Sequence, residues 1–359
     1  MKANSSEWAP LRLLWNVLCI AAPTAMGNAF EYLPVVFGLS IVGHLPDGRA
    51  ALEVVSLARA WFNMTALAPS FGLLTALRTL CPQAVGGGRP ELNRLYIRRA
   101  FCFVALGAIP CCGLQWACAP TLTVVLGTPP ALARDVQAYA LRLIPQYFGV
   151  AGMTILQRVY QAHDMVLSNM AICGAVCAVA PLLQWAFVHG LGWGYIGIAW
   201  AAGTSNLLYV ALQLPHLVSV GQGYLFFGNS SASSSSSLSS SSAAAEDRGA
   251  WGEALSREGL WEYTVLMVPG FLQAVAEWSV LEFIIFAVSV LQQSQEKGLI
   301  AASAVVGNLQ AVFIMAWCVL LFLLQCICFA CSLDRMKRSA PRCCFRPLMQ
   351  HAPSVVIVV

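Results

Sequence analysis

The sequence predicts an all-α integral membrane protein, and three observations carry that prediction. Of its 359 residues, 58% are apolar and only 10% carry charge, against about 45–50% and about 25% in soluble domains. So few charges cannot cover the surface of a water-soluble globule of this size. Apolar runs long enough to cross a bilayer, which takes about 20 residues, recur near 13–45, 51–77, 100–126, 139–160, 165–189, 194–219, 264–291 and 299–332. One serine-rich tract breaks that rhythm between the sixth run and the seventh.

The elements follow in order. A polar N-terminus (1–12) precedes a first run too long for a cleaved signal peptide, so it stays as a span. Pro23 and Pro34 lie inside it, and Pro145 and Pro269 lie near the starts of the fourth and seventh runs. Such prolines free backbone carbonyls, which a membrane protein tolerates where a neighbouring helix or a wet cavity supplies a donor. Six spans make a first unit (13–222), a cytoplasmic linker follows (223–260), then two more spans (261–332) and a basic, Cys-containing tail (333–359). Eleven serines in residues 230–242 give the linker no apolar periodicity and the composition of a flexible connector.

Orientation follows from the basic residues. With the N-terminus inside, fifteen fall in cytoplasmic segments, among them Arg78, Arg94, Arg98, Arg99, Arg158 and Arg257. Only Arg49, Arg59, Arg134, Arg142 and Lys297 fall outside. That bias sets both termini in the cytoplasm. The sequons at Asn4 and Asn229 are then cytoplasmic and receive no glycan.

Composition also excludes several functions. A net charge of +4, spread over many loops, gives no nucleic-acid footprint. No phosphate-binding loop, dinucleotide fingerprint, zinc-protease or nucleophile-elbow motif is present, so the sequence reads as neither an enzyme nor an ATP-driven pump. Most of the fourteen cysteines, such as Cys111, Cys118 and Cys173, lie in apolar runs, where cysteine behaves as a small hydrophobe. Cys326, Cys328, Cys331, Cys343 and Cys344 lack a His or Asp at ligand spacing, so no metal site is expected. Beside Arg342 and Arg346, that tail suits palmitoylation, or it is sequence foreign to the rest of the chain.

Three glutamates at membrane depth stand out, because an ionisable group there costs at least about 2.5 kcal/mol. Glu31 lies midway along the first run, and Glu277 and Glu282 lie in the seventh. Five helical residues correspond to roughly 140° and about 7.5 Å. Glu277 and Glu282 therefore leave on different faces, one able to line a cavity while the other meets a neighbouring helix. Trp8, Trp61, Trp185, Trp251 and Trp261 read as interfacial anchors. Trp278, beside Glu277, is instead placed for a cation–π contact with a substrate.

Several segments resemble the multidrug and toxic compound extrusion (MATE) family, eukaryotic branch. Val42-Gly43-His44-Leu45 is similar to the GHLG that ends the family's first span. Thr75-Ala76-Leu77-Arg78-Thr79-Leu80-Cys81-Pro82-Gln83-Ala84 resembles its TALDTLCGQA. Ile144-Pro145 with Gln157-Arg158-Val159-Tyr160-Gln161-Ala162 resembles its fourth-span pattern, and Leu191-Gly192-Trp193-Gly194-Tyr195-Ile196-Gly197 its turn into the sixth. Pro269 with Glu277-Trp278-Ser279-Val280-Leu281-Glu282 resembles the seventh-span EWWxxE signature. The resemblance runs over about 11–316 and is specific through the order and spacing of its motifs.

That resemblance implies a MATE-like six-helix N-lobe bundle and an incomplete C-lobe of two helices. It further implies a secondary antiporter of a plasma, vacuolar or other endomembrane, exporting organic cations or neutral xenobiotics without a cofactor. The coupling ion is the proton in preference to sodium. Glu277 takes the place of the substrate- and proton-linked acid, Glu282 that of its companion, and Asn308 that of an eighth-span Asn in the plant-like members. Arg78 stands where the family has an acid, Pro82 where it has glycine and Ser168 where it has proline. After Ala316 the pattern is lost, and spans nine to twelve have no counterpart. The rival expectation is a non-transporting fragment or an interaction partner of full-length copies.

Overall fold

A computed structural model of the protein describes residues 9–227 and 251–292. The Ser-rich tract, the run 299–332 with Asn308, and the Cys-rich tail lie outside the described residues. Those described are helical throughout, without a strand, and fold as an all-α membrane protein.

Helix α1 (Ala9–Gly43) keeps Pro23 and Pro34 within one continuous helix. The second span is segmented: α2 (Gly48–Phe62), a π-helical turn (Asn63–Leu67), α3 (Ala68–Leu73) and α4 (Thr75–Gly86). Helix α5 (Leu92–Trp116) breaks at Ala117 into α6 (Cys118–Leu126). The run read as 139–160 begins later: α7 (Pro130–Arg142) is a separate polar helix packed on α2, and the span itself is α8 (Ile144–Ala162). Pro145 lacks an amide proton and so belongs in the first turn of a helix, where it starts α8 and leaves the break at Leu143. Helix α9 (Val166–Trp185) closes in a π turn (Ala186–Gly190), α10 (Ile196–Ser219) and the short α11 (Tyr224–Phe227) end the first unit, and α12 (Arg257–Gln292) follows.

Helix α1 lies against α9, α10 against both α8 and α9, and α12 along α3, α4 and the π turn of the second span. Tyr139, Tyr147, Tyr160 and Tyr263 are among the largest fully buried side chains. Outward, the bundle shows lipid-compatible side chains such as Leu106, Ile109, Val124, Leu182 and Leu272. Among the described residues, five stretches are long and apolar enough to cross a membrane: 21–43, 48–86, 92–116, 166–190 and 257–287. Helices α8 and α10, read as spans from sequence, fall outside that group. The reason is position: thirteen of the nineteen α8 residues are buried, so α8 meets protein rather than lipid and can carry Gln146, Thr154, Gln157 and Arg158.

The breaks leave backbone carbonyls that neighbours satisfy. At the α3–α4 break the amide of Leu77 turns to Leu74, 3.2 Å away, and Tyr263 of α12 donates its hydroxyl to the carbonyl of Leu73 at 2.9 Å. Near Pro34, Gln184 donates to the Pro34 carbonyl at 2.7 Å. Trp61, read above as an interfacial anchor, is buried and donates to the Leu114 carbonyl at 3.2 Å, in the last turn of α5. The indole found an orphan acceptor inside the bundle, which outweighed the interface. Trp185 and Trp261 are exposed, as anchors should be.

Candidate functional site

The polar groups at membrane depth gather at two places. In the first unit, Glu31 of α1 accepts a hydrogen bond from Gln157 Nε2 of α8. The Cys173 thiol of α9 donates to the same carboxyl oxygen at 3.8 Å. Arg158 lies within electrostatic reach of Glu31 and of Arg78, and its guanidinium donates to Gln161 at 2.7 Å. The Tyr209 hydroxyl of α10 is within electrostatic reach of Glu31 and Cys173. The hydroxyls of Tyr209 and Thr154 are buried and have no hydrogen-bond partner among the described residues. A buried hydroxyl without a partner, that of Tyr209, near an acid makes a site able to hold water or a polar solute.

Below them, Gln213 donates to Asn169 at 2.7 Å. The Tyr160 hydroxyl sits 3.0 Å from the Gln213 carbonyl and 2.9 Å from His216 Nδ1. These buried pairs tie α8, α9 and α10 together.

The second place joins the two units. Glu282 of α12 is buried and accepts a hydrogen bond from Asn63 Nδ2 at 2.6 Å. Asn63 opens the π turn of the second span, and π turns recur at functional sites because the extra residue re-aims a side chain. This turn is pinned from α5: Gln115, itself buried, donates to Thr65 Oγ1 at 2.8 Å. Trp278 packs on Phe71 with ring centroids 5.4 Å apart. Glu277 projects from an exposed side of α12, so the two acids do leave on different faces. Tyr32, next to Glu31, lies within electrostatic reach of Glu282, Glu277 and Arg59.

Sequence reading found the acids but not their partners. Asn63, Gln157, Tyr209 and Thr154 are polar residues in apolar runs, a signal present in the sequence but weaker than a charge. Cys173 packs in a hydrophobic cluster with Met153 and Val176, as a small hydrophobe does, and is in addition a donor to Glu31, because α9 turns that face onto α1.

Residues 23–185 match the MatE family. DETOXIFICATION 3 of Arabidopsis thaliana is 33% identical over 207 residues, covering 55% of this chain and 41% of the relative. DETOXIFICATION 13 of the same plant is 32% identical over 200 residues, with the same two coverages. Over that region the chain resembles the MATE family. The fold agrees: the crystal structure of the eukaryotic MATE transporter AtDTX14 superposes with a TM-score of 0.62 at 23% identity, over 90% of this chain and 64% of that one. A MOP superfamily transporter from Pyrococcus furiosus superposes at 0.58 with 14% identity. The chain spans about 41% of the length of the curated relatives it matches.

Proposed function

We propose that this MATE-like chain serves secondary active export of organic, mainly cationic, compounds in exchange for protons. The observation that carries the reading is the arrangement of Glu31, Glu277 and Glu282. Two of them are held by neutral amide donors on other helices, and the third is open. An acid hydrogen-bonded to an amide and a thiol, with its nearest cation Arg158 in electrostatic reach but not in an ion pair, leaves room for a proton or an organic cation to neutralise it. Such exchange requires that substrate and proton bind the two facing states with different affinity. In the cycle, Glu277 beside Trp278 meets the cation. Protonation from the outer side releases that cation, and deprotonation to the cytoplasm restores the acceptor. Glu282 and Glu31 report the proton to the second span and to α8 through Asn63 and Gln157.

Proteoliposomes holding the chain, a fluorescent organic cation and an imposed pH gradient test this reading. Gradient-driven exchange is expected from the unsubstituted protein. Glu277→Gln keeps size and hydrogen bonding but cannot ionise, and should abolish exchange. Glu277→Asp should retain part of it. Exchange at the unsubstituted rate in Glu277→Gln, or none in the unsubstituted protein, would overturn the proposal.

A further inference from the structure

At the end of the bundle where α5 begins, two arginines are buried that the site above does not use. Arg98 and Arg99 are 5% and 4% exposed. The Arg98 guanidinium lies 4.9 Å above the ring of Trp251. Arg99 Nε donates to the Ala254 carbonyl at 3.3 Å, and its Nη1 pairs with Glu262 at 3.4 Å. Its other face covers Tyr96 at 5.7 Å. Gly259 leaves the notch in which the Arg99 guanidinium lies, and a Cβ built there would overlap Nη2. The contacts named here from the second unit come from residues 251–262. The Glu262 side chain is 57% exposed, so its ion pair adds little in water. The hold is the buried guanidinium on a carbonyl, the stacked indole and the glycine notch.

We propose that residues 251–262 are a clasp on α5. Trp251, Ala254 and Gly259 grip Arg98 and Arg99, keep the two units closed at this end of the bundle, and must let go for that end to open. The clasp's part in a transport cycle rests on the transporter reading, but its closure is measured without transport.

The chain carries its own reporter. Cys81 of α4 is fully buried and within electrostatic reach of Tyr96 and Tyr263 at this same seam. Cys118 and Cys173 are fully buried elsewhere and serve as internal references. Purified protein in detergent is exposed to a membrane-impermeant maleimide, and alkylation of each cysteine is followed by peptide mass spectrometry. Trp251→Ala should speed alkylation of Cys81 about fivefold, the equivalent of one partly exposed cation–π contact, with Cys118 and Cys173 unchanged. Gly259→Ala, which fills the notch, should do the same. Should Gly259→Ala fail to fold, the half-exposed Trp251 still supplies the test. A Cys81 rate equal to that of the unsubstituted protein, or an equal rise at all three cysteines, would overturn the clasp.

Discussion

At the scale of single residues, the physics of this protein is that of polar atoms kept from water. Glu31 and Glu282 are tolerable at membrane depth because Gln157 and Asn63 donate to them. His163, which ends α8 outside the spans, is the contrary case: its Nε2 is buried with no hydrogen-bond partner among the described residues. Burial holds it below the ordinary histidine range, and the neighbouring Asp164 charge offsets only part of that. The unfolded chain therefore takes up the proton more readily than the folded one. The stability due to a neutral His163 is whole above about pH 6.5 and falls as pH drops through the depressed folded value. We expect His163→Gln to lose less stability than the unsubstituted protein between pH 7 and pH 5 in detergent unfolding. An identical loss in both would show that His163 does not titrate on folding.

At the scale of elements, breaks and close approaches fix how α12 meets the second span. A Cβ at Gly72 would stand 2.8 Å from Phe271 Cα, and one at Gly270 would stand 2.5 Å from Thr75 Oγ1. The two glycines let the helices touch backbone to side chain, as small residues do at membrane helix interfaces. Gly72→Ala should therefore lower stability by about 1–3 kcal/mol through overpacking, read as a reduced midpoint in thermal unfolding. Tyr263→Phe keeps the stacking on Phe103, whose ring centroid is 4.9 Å away. It removes only the donor to Leu73, so a smaller loss of about 1 kcal/mol is expected. If Tyr263→Phe cost nothing, the Leu73 carbonyl would have another partner. The segmentation itself was legible only in part. Pro145 marks the α7–α8 break, but nothing at Leu74 or Ala117 announces one.

At the scale of the whole molecule, an apolar exterior over an apolar core that encloses a few polar groups describes a bundle whose solvent is lipid. The fifteen-to-five distribution of basic residues predicts a cytoplasmic Ser-rich tract. A glycosylation acceptor inserted at Ser235 should stay unmodified in the secretory pathway, and its glycosylation would reverse the proposed orientation. The same scale explains why α8 is less apolar than a lipid-facing span. Hydropathy reports contact with lipid, and helices wrapped by other helices are released from that demand.

The sequence by itself determined the class of this protein, the places of its acids and the family they resemble. Those follow from composition, from the cost of a charge in hydrocarbon and from motifs read in order, all properties of the chain before it folds. Only the tertiary structure decided the partners: that Gln157 and Cys173 converge on Glu31, that a π turn presents Asn63 to Glu282, and that Arg98 and Arg99 are gripped by 251–262. Each pairing joins residues far apart in the chain, except that of Arg99 with Tyr96. A glutamine, an asparagine and a cysteine are each unremarkable in an apolar run. Their meaning arises when packing removes water and leaves them as the donors at hand.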